Sequence, residues 1–306
     1  MYGVEIVVGV SPDESGDDAV ALGAVLSRLL HARLVLTYIH PPTIDYPSIG
    51  NVDAEWEAFL RERAQATLGE AREQLAREWS ITDTESVSYA HASVGHGLRN
   101  VAEERGAAMI AIGPGASRFD GRLSLGSVAH SLLHGGPAAV ALAPEGYRET
   151  APDHIRRLVA GFQDTEESAE AVEVCLSVAE PAHIPVHLLT VVLRATRILG
   201  ARVGRDAERM VMQSLVEREQ AAQERFTSSR TDDVTGSVVT GDTPERAMSR
   251  FDWEDSDLFV VASSSLGPIA RVFLGDITHK LLRVCTVPAV VLPRGFDADL
   301  LEPASG

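Results

Sequence analysis

The chain has 306 residues, 45% of them hydrophobic, and a formal charge of −17 from 44 acidic and 27 basic side chains. That length suits two domains better than one, and that charge excludes nucleic acid and anionic membrane surfaces as expected partners, because phosphate binding needs a basic footprint. No apolar run reaches the roughly 20 residues of a membrane span, and Lys280, the sole lysine, lies in no Gly-x-x-x-x-Gly-Lys loop, which excludes P-loop chemistry.

No basic segment, apolar stretch or cleavage site precedes the first strand, so no secretory leader is expected. Residues 5–10 form an apolar run suited to a buried parallel strand. Ser15, with Asp18 three residues on, is the expected cap of a helix carrying Ala19, Leu22, Gly23, Leu26 and Leu30 on one face. A strand over 34–39 leads into a loop rich in proline (Pro41, Pro42, Pro47), which is either a lid or a stiff crossover. From Trp56 a long helix places Leu60, Ala64, Leu68, Ala71, Leu75 and Trp79 on one stripe. Strands over 87–94, 108–112 and 138–142 and helices over 98–105 and 127–134 complete the first half.

The second half repeats the order. A strand over 158–162 precedes a helix capped by Thr165 and bearing Ala169, Val172, Cys175, Leu176 and Ala179. A strand over 186–192 and a long amphipathic helix over 207–226 follow, and segments 234–240, 244–251, 258–262, 277–284 and 289–292 complete the set. The copies align at Val8-Gly9-Val10 with Ala160-Gly161-Phe162, at Gly126 with Gly275 and at His130 with His279, which duplication explains. Residues 144–155 are polar and turn-rich, as a boundary should be. The expected domains are therefore 1–146 and 152–296, with a tail over 297–306. Alternating strands and helices imply parallel sheets covered on both faces, with ligands at the carboxyl ends of the strands near the switch in strand order. Ser11 and the residues from Gly113 onward fall there.

After strand four the first half reads Gly113-Pro-Gly-Ala116, nine residues, then Gly126-Ser127; the second reads Ala262-Ser-Ser-Ser265, nine residues, then Gly275-Asp276. Small residues let backbone N–H groups approach phosphate oxygens, and a helix start adds its dipole and a hydroxyl. Arg118 and Arg122 lie between the two small-residue pairs, either as phosphate partners or as solvated loop residues. His130 and His134 have metal-ligand spacing, but no cysteine or carboxylate completes a set, and a packing role is expected of them. Ser124 lacks the first glycine of a nucleophile elbow. Cys175 and Cys285 are read as buried thiols, and 252–257 as a solvated acidic loop.

These motifs make the chain resemble a tandem universal stress protein over about residues 3–143 and 155–293. The resemblance implies two doubly wound five-stranded parallel α/β domains of the adenine-nucleotide alpha hydrolase-like kind. It implies a stress-response binding module holding ATP with Mg²⁺ in the first domain only. Gly113, Gly115, Ala116, Gly126 and Ser127 would cradle phosphates, with Val10, Ser11 and Ile39 on the nucleoside side. The family's nucleotide binders carry Gly-x-x-Gly before the nine-residue gap, so Ala116 replaces the second glycine. They also place an aspartate where this chain has Ser11 and, in the second copy, Gln163. In that copy Ala262 and Ser265 replace both early glycines, and Asp276 would compete with phosphate, so the second site reads as degenerate. The last strands of the two domains are expected to meet antiparallel about an approximate two-fold axis. The alternative is a nucleotide-free scaffold acting through dimerisation or protein partners. A homodimer of the whole chain is left open, the expected compartment is the cytoplasm, and no positioned general base or nucleophile points to an enzyme.

Overall fold

The computed structural model describes residues 3–42, 52–115, 121–193, 205–228, 230, 234–263 and 276–301. The first repeat runs β1 (Glu5–Gly9), α1 (Glu14–Leu30), β2 (Arg33–His40), α2 (Val52–Gln74), β3 (Thr84–Ala90), α3 (Val94–Arg105), β4 (Met109–Ile112), α4 (Ser127–Leu133) and β5 (Ala139–Leu142). A short helix α5 (Tyr147–Thr150) connects it to the second. That repeat runs β6 (Arg157–Gly161), α6 (Glu166–Ala182), β7 (Val186–Leu193), α7 (Arg205–Ser228), β8 (Val234–Gly241), α8 (Pro244–Met248), β9 (Asp257–Ala262), α9 (Asp276–Leu282) and β10 (Ala289–Leu292).

The strands lie in the order β3-β2-β1-β4-β5-β10-β9-β6-β7-β8. Pairing inside each repeat is parallel, whereas β5 and β10 pair antiparallel, with Ala289 opposite Leu142 and Val291 opposite Val140. The two five-stranded sheets therefore fuse into one ten-stranded sheet. Each repeat alone would expose an apolar edge of Ala, Val and Leu, and edge pairing satisfies its backbone groups.

Alternation along the strands divides the core. Ile6 and Val8 face one layer, which includes α1, α2 and α6; Val7 and Val35 face the other, with α3, α4, α8 and α9. Both layers run across the junction between repeats: Ala139 and Ala141 belong with Val290 and Leu292, and Val140 and Leu142 with Ala289 and Val291. The stripe expected on α2 is buried from Leu60 through Leu75, and its last turn widens into a π-helix (Leu75–Trp79) that seats Trp79. Among the described residues no helix is long and apolar enough to cross a membrane.

Four local expectations need correction. The acidic run 252–257 is not wholly a solvated loop, because Asp257 opens β9, is fully buried and pairs with Arg157. Asp13, not Ser15, caps α1, accepting the Gly16 N–H; Ser15 already lies inside the first turn. β3 ends at Ala90 rather than 94, because Ser93 caps α3 and recruits Val94 to the helix. The 144–155 segment is not a free linker. Tyr147 is buried, and buried Asp18 accepts the N–H groups of Gly146 and Arg148 at 3.0 and 2.9 Å. Arg148 also binds Asp17 and Glu78, while Arg28 donates to the Trp79 and Asp153 carbonyls. The connection is thereby tied to α1 and the π-turn.

Asp18→Ala should orphan both N–H groups and cost about 1–2 kcal/mol. A urea midpoint unchanged from wild type would contradict this role.

Candidate functional site

The strand order reverses between β1 and β4, and a cleft of 540 Å³ opens at their carboxyl ends. Val10, Ser11, Ile39, Gly113, Gly115, Gly126 and Ser127 line it, as the sequence placed them. Ala116 and Arg118, along with most of the Pro-rich loop, lie outside the described residues. Arg122 is exposed and does not line the cleft.

Sequence reasoning missed several wall residues. Val94 and Leu98 of α3 enter one turn apart and, with Val10, Ile39 and Ile112, make an apolar flank. α3 comes this close because Gly97 lies against Ile39, where a Cβ would stand 2.9 Å from Ile39 Cδ1. The periodicity of Val94 and Leu98 carried this signal. Asp13 is the second omission. Its Oδ1 accepts the hydroxyls of Ser11 and Ser15, each at 2.7 Å, and the Gly16 N–H. The carboxylate absent at position 11 thus stands two residues on at the mouth of the same cleft. Partial burial raises the Asp13 pKa, but the hydrogen bonds from Ser11, Ser15 and Gly16 outweigh it and hold the group below the usual 3.8.

The stability that these bonds supply is present above the unfolded pKa and lost as pH falls through the lower folded value. Asn is an equally good cap, so the stability gap between wild type and Asp13→Asn should shrink on acidification below about pH 4. A gap that stays constant from pH 6 to pH 3 in urea titrations would contradict the hydrogen-bonded carboxylate.

The glycines act first through backbone packing. A Cβ on Gly115 would stand 2.6 Å from Gly126 Cα, and both N–H groups donate to the Ser124 carbonyl, at 2.9 and 3.1 Å. Gly126 has φ −74°, open to any residue, so its need for glycine is steric. A bulky residue there would therefore disturb the loop itself. Ser124 is buried, unlike an elbow nucleophile. The exposed Ser127 opens α4, whose first N–H groups have no acceptor inside the helix. No lysine or arginine stands among the described residues lining the cleft.

In the second repeat the corresponding cleft measures 270 Å³ among the described residues, which leave out 264–275, the counterparts of 115–126. Strand register shows what narrows its described walls. Phe162 occupies the place of Val10, Gln163 that of Ser11, Leu189 that of Thr37 and Ala262 that of Gly113, each larger than its counterpart. The side chain of Asp276 lies outside the described residues.

His130 and His134 stack with ring centroids 4.0 Å apart, and among the described residues no three His, Cys, Asp or Glu side chains gather to hold a metal ion. Cys175 and Cys285 are both buried, which pushes each thiol up to about 12.

The family model described as the universal stress protein family matches residues 5–144 and 154–293. Universal stress proteins of Mycobacterium bovis and Mycobacterium tuberculosis are each 34% identical over 296 residues, covering 94% of this chain and 99% of theirs. The crystal structure of a universal stress protein from Archaeoglobus fulgidus superposes with a TM-score of 0.59 at 15% identity, over 95% of this chain and 98% of that one, a likeness of fold.

Proposed function

Because the chain belongs to the universal stress protein family, we propose that it is a cytoplasmic stress-response binding module that holds one adenine nucleotide with Mg²⁺, in its first domain. The observation that carries this reading is the 540 Å³ cleft of the first repeat, beside a second of 270 Å³ among the described residues that Phe162, Gln163, Leu189 and Ala262 narrow. The larger falls within the usual range of small-molecule sites. Its apolar flank of Val10, Ile39, Val94 and Leu98 suits a purine, and the open end walled by Gly113, Gly115 and Gly126 offers phosphate the Ser127 hydroxyl and the first N–H groups of α4, those of Gly115 and Gly126 being held by the Ser124 carbonyl. The described lining supplies no cation for a polyphosphate, and Asp13 supplies a carboxylate. That donor set fits a nucleotide arriving with Mg²⁺, which would neutralise the phosphates and engage Asp13.

Importing the second domain's residue tests the reading. Val10→Phe should abolish ATP binding in isothermal titration with Mg²⁺ in a variant that still unfolds cooperatively in urea, its midpoint lowered by an overpacking cost of about 1–3 kcal/mol. Equal affinities in the two proteins would remove the cleft from consideration.

The packing of Gly115 on Gly126 favours a second reading, a nucleotide-free scaffold, because it accounts for both glycines without phosphate. No heat and no thermal shift with millimolar ATP and Mg²⁺ would select it.

A further inference from the structure

The wall of the first cleft is fastened to the second domain. Leu123 is 2% exposed, and its N–H donates at 3.1 Å to the carbonyl of Cys285, in the turn between α9 and β10. It belongs to the apolar layer that also contains Leu281, Leu282, Cys285 and Val287. The next residue, Ser124, gives its carbonyl to Gly115 and Gly126, whose backbones touch and line the cleft. Arg122, on the other side of Leu123, is held by the Glu145 N–H through its carbonyl. Its charge also reaches Glu245 of α8, whose carboxyl is kept below the usual range mainly by its own backbone N–H and the Thr243 hydroxyl, with Arg122 adding to them. Segment 121–126 therefore has one end in the ligand cleft and its middle anchored across the domain boundary.

We propose that Leu123 is a positioning residue through which the second domain holds the Gly115–Gly126 wall in its binding shape. What the wall binds rests on the nucleotide reading above; the fastening does not. The arrangement gives the degenerate domain a task that its small cleft cannot supply. By linkage, a ligand that tightens the wall must also tighten the grip of Leu123 on the second domain.

The test compares full-length wild type with Leu123→Ala, Leu123→Val and Leu123→Met, by amide hydrogen exchange and by titration with ATP and Mg²⁺. Exchange at Gly115 and Gly126 should be at least about tenfold faster in L123A, intermediate in L123V and within about twofold of wild type in L123M, while β1 and β4 amides keep their rates. ATP affinity should fall in the same order. Should L123A fail to fold, L123V, one methylene smaller than leucine, carries the comparison. Wild-type exchange at both glycines in the variant overturns the positioning role, and so does equal ATP affinity alongside a loosened wall. A wild-type chain that takes no ATP, beside a variant with the expected exchange pattern, sinks the nucleotide reading and upholds the fastening.

Discussion

Gly113→Ala should cost about 3 kcal/mol, the upper end of the usual overpacking range, and should abolish nucleotide binding. The cause is steric and local. A Cβ on Gly113 would sit 1.8 Å from the Ser15 carbonyl oxygen and 2.7 Å from its carbonyl carbon, both backbone atoms that no rotamer change can move. Gly16 is equally confined, its Cβ position lying 2.0 Å from the Ser11 carbonyl oxygen. The exits of β1 and β4 and the first turn of α1 are thus three backbones in direct contact, and they form the floor of the cleft. One methyl group must push β4 away from α1, with an expected fall in Tm of about 5 °C for a 306-residue chain. Gly69→Ala is the control: nothing lies within 4 Å of its Cβ position on α2, and loss of a helical glycine should stabilise by up to about 1 kcal/mol. Equal Tm values for the two variants would refute the packing argument.

Arg157→Ala should destabilise the second domain by about 3–5 kcal/mol, the usual consequence of stranding a buried charge. Asp257 is 0% exposed and receives Arg157 Nε at 2.8 Å and Nη2 at 2.6 Å in a bidentate pair. The Glu254 N–H also donates to it, and the guanidinium lies 5.2 Å from the Phe251 ring centroid. Hydrogen bonding to Asp257 raises the Arg157 pKa, so the cation persists at any pH at which the protein folds. Alanine would leave the carboxylate with one N–H donor and no counter-charge. Lysine should rescue only partly, since an ammonium cannot reproduce the planar fork. Removing both partners with apolar residues should cost less than removing the arginine alone. Urea denaturation of the single and double variants measures this directly, and a double variant no better than Arg157→Ala would contradict it.

The register places Glu5 in the first repeat where Arg157 stands in the second, and Glu5 pairs there with Arg105 at 2.9 Å. An ion pair closes the start of the first strand in each repeat, but the strand residue carries opposite charge and the partner comes from a different element, Arg105 ending α3 against Asp257 opening β9, so comparing residue types between the halves cannot find it. Much else was legible. Among the described residues, short apolar runs located every strand and period-3.6 stripes every long helix, because burial leaves those marks whatever the tertiary detail. Seven wall residues of the cleft were named, six at the turn after β4 and the end of β1 and Ile39 near the end of β2. What escaped depends on spatial partners. Asp13 and Ser15 are equally good caps in isolation, and only the Gly16 N–H decides between them. The polar segment after β5 gave no sign that Tyr147 and Asp18 would bury it against α1. The smallness of the second cleft required register, which alone sets Leu189 in the place of Thr37. That Gly115 and Gly126 also pack on one another is visible only in the spatial contact between them.

The central claim, one nucleotide in one of two equivalent clefts, is tested most directly by a backbone amide NMR titration of the full chain with ATP and Mg²⁺. The account predicts saturable shifts at Val10, Ser11, Ile39, Gly113, Gly115, Gly126 and Ser127, none at Gly161, Phe162 or Gln163, and one equivalent bound per chain. Shifts centred on Phe162 and Gln163, or none at all at millimolar ligand, would contradict it.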